Sequence, residues 1–243
     1  MAPTDIPLHG EFSTAAVASG DAPDLWFDLP PGFIEFDLSE EPEARLLRMA
    51  DAVDILFREA TPEQKFSFVV SGEYVLQTLI NSGTEHVSSC LLRMPGDKLS
   101  QGTLYVMVER PEVGLQSQDR QGAAKRTAAQ WRESYPDAEV GLVMLPYGIS
   151  ALCIRDQEVQ IPGVLFGLDE PTAATIRQAQ FCVPLQTGAG SALFVFMTED
   201  IDHWPEYIDV LSGIMKSVSA DERGGESATG TGSPTGGRTE NQA

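Results

Sequence analysis

Residues 139–156 read EVGLVMLPYGISALCIRD, two apolar runs folded back on each other at the corner Pro146-Tyr147-Gly148. Downstream, IRQAQFCVPL (176–185) and SALFVFM (191–197) repeat the arrangement around Thr187-Gly188-Ala189-Gly190. Each run is short and rich in β-branched and aromatic residues, and each is bounded by turn formers, so four consecutive strands are predicted. Hairpins dominate and short crossover units are scarce, so the pairing is expected to be largely antiparallel. Pro184, inside the third run, cannot donate a ladder hydrogen bond and is expected at a sheet edge or a bulge.

Working towards the N-terminus, HVSSCLLRM (86–94) and TLYVMVER (103–110), separated by PGDKLSQG, predict another antiparallel pair. In the second of them Leu104, Val106 and Val108 face one side and Tyr105 and Met107 the other, so both faces of the sheet are covered. Before this pair come two helical segments. The first starts at Ser39, read as its cap, with acids crowding the first turn and an apolar stripe of Leu46, Met49, Ala50, Val53 and Phe57. The second starts at the capping box Thr61-Pro62-Glu63-Gln64, places Phe66, Val69, Val70, Leu76 and Ile80 on its apolar face, and stops at Ser82-Gly83. FIEFDL (33–38) alternates as a first strand, with Ile34, Phe36 and Leu38 inward. A further helix is predicted over Val113–Tyr135 with Ala124, Ala128, Trp131 and Tyr135 on one stripe, and a last one from Trp204 through Ile208, Leu211, Met215 and Val218.

The order is strand, two helices, two strands, helix, four strands, helix. This predicts a single-domain α/β sandwich over residues 25–220, with a mostly antiparallel sheet and helices on both faces. Residues 1–24 and 221–243, poor in large apolar side chains, are expected to be disordered tails.

The chain has 243 residues, 42% of them hydrophobic, enough for a substantial core. It carries 36 acidic against 16 basic residues, a net charge of -20. Residues 1–24 hold four acids and no base, and residues 220–243 are net -2, which leaves -14 on the middle. Such a field repels phosphate backbones and anionic lipid, so neither nucleic acid nor membrane is an expected partner. The opening MAPTDIPLHGEF has no basic n-region or apolar h-region, and a cytoplasmic location is expected. Cys90, Cys153 and Cys182 are widely spaced within apolar runs and read as reduced core residues. His9, His86 and His203 are scattered, so no metal site is expected.

No residue pattern predicts catalysis or a cofactor. Gly188 and Gly190 lie between two strands, where phosphate binding would need a helix N-terminus. Ser150 lacks the glycine elbow of a nucleophilic serine. Asp200 or Asp202 is read as a cap for the last helix, with Trp204 as core. Two candidate partner-binding features remain. The helix near residue 125 gathers Arg120, Lys125, Arg126 and Arg132, a quarter of all the basic residues, on which an acidic partner could dock. Trp26 and Phe27, just before Pro30-Pro31-Gly32, act either as a clasp over the open end of the core or as a docking surface.

The motif L-P-x-G-F at Leu29–Phe33, the run Val140–Gly148, and T-x-D-x-x-x-W-x-x-Y-x-x-x-L-x-x-I over Thr198–Ile214 resemble the PsbP/Mog-like α/β/α sandwiches, in particular actinobacterial proteins of the LpqN type. That resemblance implies a non-catalytic binding or assembly factor and carries over no catalytic residue. The sequence thus leads to a protein-interaction or assembly module. Its alternatives are a secretion-type chaperone for a protein client, or a small hydrolase with a carboxylate site built from loops.

Overall fold

The computed structural model describes residues 12–18, 23–94, 98–109, 119–161, 170, 172–186 and 190–221. The C-terminal tail predicted from the sequence lies almost wholly outside them. Among the described residues seven strands form one sheet in which each adjacent pair is antiparallel. In chain order they are β3 (Phe33–Glu35), β4 (Thr84–Arg93), β5 (Leu99–Glu109), β6 (Glu139–Leu145), β7 (Gly148–Ile161), β8 (Thr172–Pro184) and β9 (Ser191–Thr198), and in space they run β3-β4-β5-β9-β8-β7-β6. The corner at 146–148 is a tight hairpin, Leu145 pairing with Gly148, whose φ of 143° lies where glycine is favoured. Among the described residues four α-helices accompany the sheet: α1 (Pro42–Leu56), α2 (Pro62–Asn81), α3 (Arg120–Ser134) and α4 (Trp204–Ser217).

Ordered structure begins before residue 25. Ser13–Ala18 forms a strand, β1, paired antiparallel with β2 (Pro23–Leu29), so the expected disordered tail is corrected for these residues. The sequence signal was faint because β1 is built from small side chains. Ala15 and Val17 nevertheless lie buried, with Leu25, Phe27 and Leu29 opposite them. β1 lies over β4 and β5, and α4 packs beside β2, so the hairpin and α4 together cover one face of the sheet. The main core forms there. Tyr207, Leu211, Ile214 and Met215 from α4, with Val218 just after it, meet Leu104 and Val106 of β5 and Phe194 and Phe196 of β9. Gly102 makes room for this packing, since a Cβ there would come 2.3 Å from the Phe196 ring.

The opposite face carries α3, whose Ala128 sits against Ala151 and Cys182 with Trp131 at the margin. Small residues on this stripe let the helix lie close to the strands. Helices on both faces of an antiparallel sheet are therefore observed, as the alternation predicted. All three cysteines are buried free thiols, and burial pushes Cys90 up to about 12.

Several boundaries differ from the sequence reading. β3 spans three residues only, and Ile34 is 67% exposed rather than inward. Ser39 does not cap α1: its N–H and hydroxyl both donate to Asp37, and the helix begins three residues later, where Pro42 supplies a ready-made first turn. α3 begins at Arg120 behind Asp119, whose carboxylate accepts from the Gly122 N–H; the preceding part of the predicted helix lies outside the described residues. Pro184 is in an interior strand. It is tolerated as the last residue of β8, beside the turn to β9, rather than at an edge.

Candidate functional site

α1 and α2 form a helical pair inserted between β3 and β4. α2 starts as its sequence dictates: the Gln64 N–H donates to Thr61 Oγ1 at 3.3 Å and the Thr61 N–H to Gln64 Oε1 at 2.9 Å, closing the capping box, with Pro62 in the first turn. Val53, Val69 and Leu76 are buried, and none of them belongs to the main core or to the cluster under α3. At the close approach of the two helices a Cβ on Gly72 would lie 3.2 Å from Met49 Sδ. Beside it is an ion pair. Arg45, 2% exposed, donates through two nitrogens to the Glu73 carboxylate at 3.1 and 2.6 Å and also to the Glu40 carbonyl. The hydrogen bond it donates to Glu73, outweighing the cost of burial, holds the guanidinium above its usual pKa. Neither charge is left to do chemistry, because each is the other's partner.

Large apolar side chains stand exposed on this pair. Leu47 and Ile55 of α1, Phe57 just beyond it, and Phe66, Phe68, Val70, Tyr74 and Val75 of α2 are all exposed, Leu47, Phe66 and Tyr74 to about 70%. They are eight of the twelve large hydrophobic side chains that stand exposed among the described residues. The rings of Phe57 and Phe68 stack in a tilted pair 5.2 Å apart. Isolated exposed leucines are ordinary, whereas a concentration of large apolar side chains on one helical pair is not.

Periodicity places Phe66 and Val70 on the buried face of α2. They belong to the exposed set instead, because the helix buries the arc of Val69, Glu73 and Leu76 and leaves the flanks open. A legible signal did exist. Phe66, Phe68, Val69, Val70, Tyr74, Val75, Leu76, Leu79 and Ile80 leave only a narrow polar arc at Ser67, Ser71 and Thr78, more apolar circumference than one neighbour can bury.

The other predicted site residues are dispersed. Trp26 and Phe27 do not precede the first strand but lie inside β2, so alternation sends them to opposite sides. Phe27 is fully buried, edge-on to His86 and to Phe194 at 5.1 Å each; it is the clasp. Trp26 is half-buried, and its backbone pairs with Ser219, tying the end of the fold to its beginning. Arg120 turns inward: it donates to the carbonyls of Pro184 at 3.1 Å and Tyr147 at 2.9 Å and lies over the Tyr147 ring. Lys125, Arg126 and Arg132 are exposed, and Arg132 donates to the Val140 carbonyl. Lys125 and Arg132 share one stripe of α3 while Arg126 stands about 100° around the helix, so the four do not form one basic patch.

Ionisable groups also meet where β9 turns into α4. Asp200 lies 2.9 Å from His203 Nδ1 and 3.3 Å from Lys98 Nζ, beside the 2.6 Å contact of Ser100 with the buried Tyr207 hydroxyl. Burial acts to raise the Asp200 pKa, but hydrogen bonds from Ser100, His203 and Lys98 prevail and hold it down to about 2. Asp200 does not cap α4 through its side chain; it is engaged by the histidine three residues on. Trp204 packs against the main core, as expected. Among the described residues no three His, Cys, Asp or Glu side chains are grouped as metal ligands would be, and no helix is long and apolar enough to cross a membrane.

The chain matches no family model, no curated protein and no solved structure.

Proposed function

We propose that this protein is a non-catalytic interaction module that docks a protein partner on the outer face of α1–α2. The observation that carries the reading is the gathering of eight exposed large apolar side chains on one helical pair, away from the main core. A sandwich that buries Phe27, Phe194, Phe196 and Tyr207 completely has no shortage of ways to hide such groups, so their exposure calls for a covering surface. The resemblance to PsbP/Mog-like binding factors implies the same class of role. A cytosolic setting fits three buried cysteines that form no disulfide.

The test compares the full chain with the double variant Phe66→Ser/Tyr74→Ser as affinity baits in extracts of the producing cells, followed by reconstitution with the purified partner. The expected result is one partner lost from the variant and rebound in purified form by the parent chain alone. Identical capture by both baits would sink the proposal. The hydrolase reading rests on the Asp200–His203–Lys98 cluster, where a carboxylate, an imidazole and an ammonium converge. Turnover of a small ester by the parent chain, abolished in a folded Asp200→Asn variant, would put it first.

A further inference from the structure

The acids on the docking face say what kind of segment covers it, an inference that rests on the docking reading above. Residues 37–81 contain nine acidic residues (Asp37, Glu40, Glu41, Glu43, Asp51, Asp54, Glu59, Glu63, Glu73) against four basic ones (Arg45, Arg48, Arg58, Lys65), a local charge of -5. Three of the four bases are already engaged, Arg45 by Glu73, Arg48 by Glu40 at 2.6 Å and Lys65 by Asp54 at 2.9 Å. The remaining acids do not form a separate rim. On α1 the residues Glu43, Leu47, Asp51 and Ile55 follow each other at four-residue spacing, and all four are exposed. On α2 the residues Glu63, Phe66, Val70 and Tyr74 share a stripe and are likewise exposed. Residues three and four apart on a helix are surface neighbours, so the α1 stripe alternates carboxylate and apolar side chain along its length, and the α2 stripe sets one carboxylate at the head of three apolar side chains.

From this we infer that the occupant of the α1–α2 face is an amphipathic helix whose apolar side chains are interleaved with lysine or arginine. Leucine-like groups would lie on Leu47, Ile55, Phe66 and Tyr74, and the cations would reach Glu43, Asp51 and Glu63. A second copy of this chain would bring the same carboxylates against themselves in a molecule of charge -20, and an anionic lipid surface meets the same repulsion. Helix-in-groove recognition supplies both terms that the face offers, apolar area and positioned charge.

The experiment titrates the full chain with two labelled 18-residue amphipathic peptides, one of leucine and lysine and one of leucine and glutamate in the same pattern, by fluorescence anisotropy at low and high salt. The parent chain is expected to bind the lysine peptide about tenfold or more tightly than the glutamate peptide, with the preference shrinking as salt rises. Phe66→Ser/Tyr74→Ser should weaken the lysine peptide by about tenfold, and Asp51→Lys/Glu63→Lys should reverse the preference, with circular dichroism unchanged in both. Equal affinity for the two peptides, lost in the serine variant, overturns the charge assignment and leaves the docking face standing. Lysine-peptide binding that survives both variants is attraction by net charge alone and overturns site and inference together. Binding of neither peptide overturns the inference, and the docking reading is then decided by the reconstituted partner. A chain that sediments as a dimer, and as a monomer once Phe66 and Tyr74 are serine, would replace the basic helix with a second copy.

Discussion

Adjacent residues have opposite fates in β2. Phe27 contributes a fully buried ring against His86 and Phe194, whereas Trp26 is half-buried and acts through its backbone pair with Ser219. Phe27→Ala is therefore expected to cost about 3–5 kcal/mol by urea unfolding, and Trp26→Ala clearly less, since its two backbone hydrogen bonds survive the change. Equal losses would mean that the indole, too, is core. His86 supplies the pH dependence. Burial brings its pKa down to about 4, Ser88 Oγ lies 3.1 Å from Nε2, and Glu35 is 3.8 Å from Nδ1 but 40% exposed on its side chain. The unfolded chain binds the proton near pH 6.5 and the folded chain only near pH 4, so the neutral ring's contribution is complete above the first value and is lost as the pH falls through that window. The loss amounts to something on the order of 3 kcal/mol. A His86→Asn variant should show a flatter stability profile between pH 6.5 and 4 than the parent; parallel profiles would show that the ring is hydrated.

The two sides of α2 illustrate what an element can and cannot announce. Its existence, capping box and stop were legible, because Thr61, Pro62 and Gln64 close the N-terminus locally and Gly83, with φ of 80°, ends the last turn. Which of its many apolar residues face inward was not, because that depends on where α1 lies. Leu76→Ala, inside the pair, should cost about 2–5 kcal/mol in thermal or urea unfolding, while Tyr74→Ala, two residues away, should stay within about 0.5 kcal/mol. A large loss at Tyr74 would show that its ring is packed rather than offered. The same contrast holds for α3. Its Ala124 and Ala128 stripe was readable from periodicity, but the inward turn of Arg120 was not, since its acceptors, Tyr147 and Pro184, belong to other elements.

At the scale of the whole molecule the fold is closed by pieces far apart in sequence. β1 and β2 roof the sheet beside α4, and Ser219 returns to Trp26. Deleting residues 1–22 removes β1 and uncovers Leu25, Phe27 and Leu29, so the shortened chain should show a markedly lower melting temperature or collect in the insoluble fraction. An unchanged melting temperature would mean that β2 and α4 suffice as the roof. By itself, the sequence determined the order of the main strands and helices, their antiparallel character and the two-sided core, because tight turns, caps and side-chain alternation are interactions between near neighbours. Only the tertiary structure decided that a run of alanines and a valine is a strand, that Trp26 and Phe27 part company, that Arg120 is a clamp, and that the apolar surplus of α1 and α2 faces outward. Each of these depends on which distant surface arrives opposite a given side chain, and burial is a property of that pair of surfaces rather than of either stretch alone.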